Sequence, residues 1–222
     1  MPAGSTSSTT EASAGFILRL RPLTESSLIV HWLTPDHGRI ATVAKGARRP
    51  KSPFRGKLDL CYECDFSFTR SRRSELHTLR EVVLRQTHEP LRRELGWLQQ
   101  AAYAAALLEQ TTETDTPLPE IHALFAALLA HLPQQPPKAR TVFAFELKLL
   151  HELGLAPDPA ETRLPDEAKE LLEALLTTDW PELADLSATA AQARSVQQFL
   201  HGFLIHHLGR LPASRAAALS PA

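Results

Sequence analysis

Apolar residues change their spacing along this chain close to residue 88. From Gly15 to Gln86 they alternate with polar ones, the period of a strand with one buried face. Five such stretches can be drawn: GFILRLR (15–21), SSLIVHWLT (26–34), GRIATVAKG (38–46), LDLCYECDFSF (58–68) and ELHTLREVVLRQ (75–86). The fourth is the most regular, with Leu58, Leu60, Tyr62, Cys64, Phe66 and Phe68 on one side of the alternation. Five short strands joined by polar turns fit a small antiparallel barrel, OB-like, better than an open sheet with bare edges. Beyond Pro90 the period is helical. Ala- and Leu-rich stretches at 90–110, 119–132, 138–154, 166–178 and 189–209 are punctuated by Pro and Gly. The pattern predicts an α+β chain: a Ser/Thr/Ala-rich disordered tail (1–14), an OB-fold barrel (15–88), then an all-α domain (89–222).

Charge reinforces this division. The formal net charge of the 222 residues is only −1. Residues 1–93 nevertheless hold 16 Lys/Arg against 9 Asp/Glu, and the remainder is acidic. A basic barrel beside an acidic helical domain suggests a polyanionic partner for the first; the alternative is that the two halves only complement each other. Two cysteines three residues apart exclude a multi-disulfide scaffold. Apolar runs are too short to span a bilayer, and the N-terminus lacks the basic start and apolar stretch of a signal peptide. A soluble intracellular protein without membrane association is expected.

Candidate chemistry is concentrated in one segment. RIATVAKGARRPKSPFRGK (39–57) carries seven cations and no acid: Arg39, Lys45, Arg48, Arg49, Lys51, Arg55 and Lys57. A Gly/Pro-punctuated loop of this kind can follow a phosphate backbone, each neutralised phosphate releasing counterions. Arg70, Arg72 and Arg73 add charge at a second turn. Phe54 lies inside the basic loop and is equally a base-stacking residue or a core residue, whereas Trp32, Tyr62, Phe66 and Phe68 alternate as core. In a continuous strand Cys61 and Cys64 point to opposite faces, Cys64 inward and Cys61 outward, and nothing nearby completes a zinc site. Phosphate-cradling and nucleophile motifs are absent from the sequence, so no catalytic site and no cofactor are expected.

GRIATVAKGARRPKSPFRGKL (38–58) resembles the signature segment of the bacterial recombination-mediator family RecO. SRRSELHTLREV (71–82), FELKLLHELGLAPD (145–158) and HGFLIHHLGRLPASRAAAL (201–219) are similar to that family's return strand, central helix and closing segment, in the same order. The resemblance implies an OB domain and a helical domain. It also implies a cytoplasmic, nucleoid-associated DNA-repair protein of the RecF pathway that binds single- and double-stranded DNA. Such a protein anneals complementary strands, partners RecR in loading RecA, and contacts the C-terminal tail of single-stranded-DNA-binding protein. Many members carry a four-cysteine zinc module where this chain reads PAETRLPDEAKELLEALL (159–176), which contains no cysteine. By position the cations of 39–57 match the family's basic segment. For the tail pocket, the residues just before Phe145 are Phe143 and Ala144, and the nearest cations are Lys138, Arg140 and Lys148. Competing expectations are a generic OB-fold nucleic-acid binder with a helical scaffold, an adaptor docking an acidic protein, and, lacking a carboxylate cluster, a nuclease.

Overall fold

The structure is a computed structural model and describes residues 10–220. Its first part is a closed five-stranded barrel with strand order β1-β2-β3-β5-β4. The strands are β1 (Thr10–Pro22), β2 (Leu28–Thr34), β3 (Gly38–Ala44), β4 (Glu63–Thr69) and β5 (Leu76–Gln86). This is the barrel-then-helices architecture that the change of period predicts. Three expectations need correction. Residues 10–14 are strand, not disordered tail; residues 1–9 of that tail lie outside the described residues. Their Ser/Thr/Ala side chains bury little, but the backbone from Thr10 to Phe16 pairs with β4 and closes the barrel. The barrel is also not wholly antiparallel, because β3 and β5 pair in parallel over Ala41–Val43 and Leu76–Thr78.

The third correction concerns residues 58–62, which are irregular, so β4 begins only at Glu63. Cys61 adopts a left-handed φ of 62°. Its N–H donates to the Ile17 carbonyl at 2.8 Å, and the Ile17 N–H donates to the Tyr62 carbonyl at 2.9 Å. A left-handed residue breaks the period of two, so strand alternation does not govern Cys61. Both Cys61 and Cys64 are consequently buried free thiols, contrary to the outward position expected for Cys61. Burial pushes the Cys64 thiol up to about 12, keeping it protonated.

β1 serves two neighbours, β4 along its first half and β2 along its second, with a register shift between Ile17 and Arg19. Gly15 permits the close approach of β2: a Cβ there would stand 2.5 Å from the Leu33 carbonyl oxygen. Inside the barrel Trp32 stacks on Phe66 at 4.0 Å, and its indole N–H donates to the buried Thr42 hydroxyl at 2.8 Å. Ile17, Val30, Ile40, Phe68, Leu79 and Val82 complete most of this core.

Residues 112–122 are grouped with the barrel, although they follow a helix in sequence. The Asp115 N–H donates to the Arg39 carbonyl and the Leu118 N–H to the Pro35 carbonyl. Thr114 bridges to Gly38 and Arg39.

The second unit holds residues 88–111 and 123–222. Its helices are α1 (Leu95–Thr111), the later part of α2 (Pro119–His131), α3 (Ala139–Glu152), α4 (Asp166–Thr177), α5 (Ala190–Leu208) and α6 (Arg215–Leu219). Phe143 and Leu147 of α3 pack with Leu172 and Leu175 of α4 and Val196 and Leu200 of α5. The cysteine-free stretch 159–176 thus supplies α4 and part of this core. A capping box at Thr189 and Gln192 starts α5. Among the described residues no helix is long and apolar enough to cross a membrane.

Candidate nucleic-acid interface

The β3–β4 connection begins where β3 leaves the barrel and folds as a chain of tight turns. The Ala47, Arg49, Ser52, Arg55 and Lys57 amides each donate to the carbonyl three residues back. Gly46 and Gly56 take the left-handed conformations these reversals need, with φ of 71° and 74°. The connection is anchored twice. Phe54, 6% exposed, inserts into the barrel core, so it is a core residue and not a base-stacking one. At the other anchor the Arg48 N–H donates to the Ser26 carbonyl at 3.0 Å and its guanidinium to the Thr24 carbonyl at 3.3 Å, tying the segment to the β1–β2 turn.

Lys45, Arg48, Arg49, Lys51 and Arg55 are all exposed on this fixed frame. Among the described residues none of the five forms an ion pair. No carboxylate occurs between His37 and Leu58, so the segment itself supplies no acid to neutralise them. A frame held by backbone turns and a buried ring keeps five cations apart from their own acids at little further ordering cost. Arg72 and Arg73 are exposed on the β4–β5 turn.

The remaining three predicted cations have structural duties. Arg39 donates from Nε and Nη2 to the Thr112 carbonyl at 3.2 and 3.0 Å. Lys57 donates from Nζ to the Val82 carbonyl at 3.0 Å. Arg70 grips Glu11 with two hydrogen bonds, of 2.9 and 3.1 Å, and Asp115 with one of 2.5 Å. The Glu11 and Asp115 hydrogen bonds hold Arg70 above its ordinary value, and the Arg70 hydrogen bond holds Glu11 below the usual carboxylate range. Beside them His77, stacked on Phe68 at 5.3 Å, is held below its ordinary value, chiefly by burial.

One polar cluster was not foreseen from sequence. In the helical unit Glu146 of α3 is completely buried and accepts from Arg215 Nε at 2.6 Å, Arg215 Nη2 at 2.9 Å and the Tyr103 hydroxyl at 2.5 Å. Burial alone would lower the Arg215 value, and the Glu146 hydrogen bonds and charge outweigh it, so the net direction is upward. Burial and the adjacent Glu146 charge push Tyr103 well above its ordinary value. The only sequence signal was an isolated acid in the apolar helix FAFELKLL, with no indication of its partner.

The model described as recombination protein O, N terminal, matches residues 9–88, and that described as recombination protein O, C terminal, matches residues 98–162. A protein of Rhodopirellula baltica called DNA repair protein RecO is 35% identical over 141 residues, covering 64% of this chain and 52% of its own. For that relative, and one from Burkholderia pseudomallei, the match spans about half the relative's length. Proteins of the same name from Anaeromyxobacter dehalogenans and Ralstonia nicotianae align more fully. The first is 28% identical over 90% of this chain and 92% of its own. The second is 32% identical over 86% of this chain and 78% of its own. With both domain models matched in order and a 32%-identical relative covered over more than three quarters of its length, the chain belongs to the RecO family.

Proposed function

We propose that this protein is a DNA-binding recombination mediator acting in DNA repair, in the RecF pathway. It holds single- and double-stranded DNA by the backbone, anneals complementary strands and, with RecR, helps load RecA onto DNA coated by single-stranded-DNA-binding protein. The observation that carries this reading is the row Lys45, Arg48, Arg49, Lys51 and Arg55, exposed and, among the described residues, free of ion pairs on a rigid connection of an OB barrel. Such a row reads charge and not sequence, because its cations meet phosphates while the barrel's Trp32, Phe54, Phe66 and Phe68 rings are buried. A mediator needs no covalent chemistry: neutralising two backbones lowers the repulsion between complementary strands. Holding DNA and the outgoing coat protein on one chain replaces a bimolecular search by a local one.

Engagement of the coat protein's acidic, apolar tail is supported by a pocket of about 550 Å³ in the helical unit, lined by Ala127, Ala130, His131, Trp180 and Pro181. Lys148 Nζ lies 5.9 Å from the Trp180 ring centroid, placing a cation beside an apolar hole.

The test of the DNA reading is a salt titration of binding. Replacing Arg48, Arg49, Lys51 and Arg55 by Ala removes up to four phosphate contacts. The slope of log K against log salt should flatten by about 3 for a single strand, at ~0.7 per contact. An unchanged slope removes this loop from the interface.

A further inference from the structure

Strand β5 breaks its own alternation at one point. His77 and Leu79 are buried, Arg80 and Glu81 are both exposed, and Val82 is buried again. Phe68 of β4 pairs with Leu79 and Ser67 with Glu81, so Arg80 is the extra residue of a β-bulge. We infer, resting on the DNA-binding reading above, that Arg80 is a further phosphate contact. It carries the path of the β3–β4 connection along β5 to Arg72 and Arg73 of the β4–β5 turn.

The bulge turns the arginine outward, and a neutral hydroxyl sets its direction. Arg80 Nε donates to the Thr69 hydroxyl at 2.7 Å. Thr69 pairs with Thr78, so the side chain runs back along β5 by two residues, about 7 Å at ~3.4 Å per residue, toward the turn. Among the described residues this is the side chain's only hydrogen bond, and it forms no ion pair. Both Nη groups are left to donate, on a guanidinium that no carboxylate neutralises. Arg85 of the same strand is built oppositely, ion-paired to Glu63 and Asp65. Glu81, the acid next to Arg80, lines a shallow depression over β1 and β4 with Ala12, Ser13, Ser67 and Arg85, in which Arg80 takes no part.

Both ends of the β3–β4 connection come to this strand. β3 and β5 run parallel with Val43 beside Thr78, and two residues on from each stand Lys45 and Arg80. The connection therefore starts at the level of Arg80. It returns to β5 where Lys57 Nζ donates to the Val82 carbonyl, two residues beyond Arg80. Between these ends Phe54 packs in the same core as Leu79 and Val82, the buried residues that flank the bulge. Exposed Arg72 and Arg73 lie before the start of β5, the exposed cations of the connection lie at its middle, and the Arg80 guanidinium stands between the two groups. A phosphate backbone drawn to either group meets Arg80 on its way to the other.

The experiment compares the full chain with R80Q, R85Q and the R48A/R49A/K51A/R55A loop variant, using labelled oligothymidine and a labelled duplex across a salt series. R80Q should flatten the slope by about 0.7 with oligothymidine and about 0.9 with duplex, the loss of one contact in each case. R85Q removes the same charge from the same strand and should keep the full slope, because Glu63 and Asp65 already hold Arg85. If R80Q keeps the full slope while the loop variant loses part of it, Arg80 is no contact and the loop stands. If neither variant changes the slope, both fall. Equal flattening by R80Q and R85Q would reduce the effect to net charge and overturn the assignment. Should R80Q melt early, arginine modification of the unaltered chain by phenylglyoxal decides. Bound oligothymidine should protect Arg80 and not Arg85, and equal modification of Arg80 with and without it overturns the inference.

Discussion

Replacing Arg215 by methionine removes the cation that faces a carboxylate without solvent contact. The Glu146 side chain is 0% exposed and the Arg215 side chain 7%, and two charge-assisted hydrogen bonds of 2.6 and 2.9 Å join them. Water cannot replace the lost partner without opening the helical core. Removing one member of such a buried pair costs about 3–5 kcal/mol. The Tyr103 hydrogen bond at 2.5 Å remains, which favours the lower part of that range. For a unit of this size 1 kcal/mol moves the melting temperature by about 4 °C, so R215M should melt roughly 12 °C or more below the parent. The assay is thermal unfolding of the full chain followed by far-ultraviolet circular dichroism, which reports the helices. A triple replacement, E146L/Y103F/R215M, tests whether the loss comes from the stranded charge, since it leaves no buried polar group behind. It should recover at least half of the lost stability. An R215M melting temperature within about 3 °C of the parent would refute the reasoning, as would a triple variant no better than the single one.

Three further expectations concern stability. F54A should cost about 3–5 kcal/mol in chemical denaturation, because the ring fills the barrel core; a DNA-binding defect with stability unchanged would mean that Phe54 meets bases after all. G38A should lose at least ~2 kcal/mol, because Gly38 has a φ of 60° and an added Cβ would stand 1.8 Å from the Thr116 carbonyl oxygen. The same variant should speed hydrogen exchange at the Asp115 and Leu118 amides, and unchanged exchange would contradict the docking of 112–118 on the barrel. His77, His122 and His131 are each held below the ordinary value of 6.5, first by burial. The unfolded chain therefore takes up protons that the folded one refuses. This stability is fully present above about pH 6.5 and falls as pH drops toward the depressed values. Melting temperatures that stay level between about pH 7.5 and 5.5 would contradict this.

The strand-to-helix change was legible because period two and period 3.6 differ over any ten residues, and Pro and Gly mark the helix ends. Residues 10–14 were hidden because small polar side chains carry no burial signal; only the unpaired edge of β4 makes them strand. The alternation across 58–62 misled because one left-handed residue, Cys61, reverses the facing of its neighbours without changing the residue pattern. Sequence identified the basic segment as a whole but not the division of labour within it. Arg39, Lys57 and Arg70 look like their neighbours until their carbonyl and carboxylate acceptors, distant in sequence, are brought beside them. Phe54 and the Glu146–Arg215 pair illustrate the same point: a local pattern names a residue type, while the fold decides what it touches.

The most direct test of the central claim is annealing of complementary oligonucleotides, both coated with single-stranded-DNA-binding protein, measured without ATP for the full chain and for R48A/R49A/K51A/R55A. The account predicts faster annealing with the full chain and loss of most of that acceleration with the loop variant, at unchanged melting temperature. No acceleration by a folded protein that still binds DNA would contradict the mediator reading and leave a plain nucleic-acid binder.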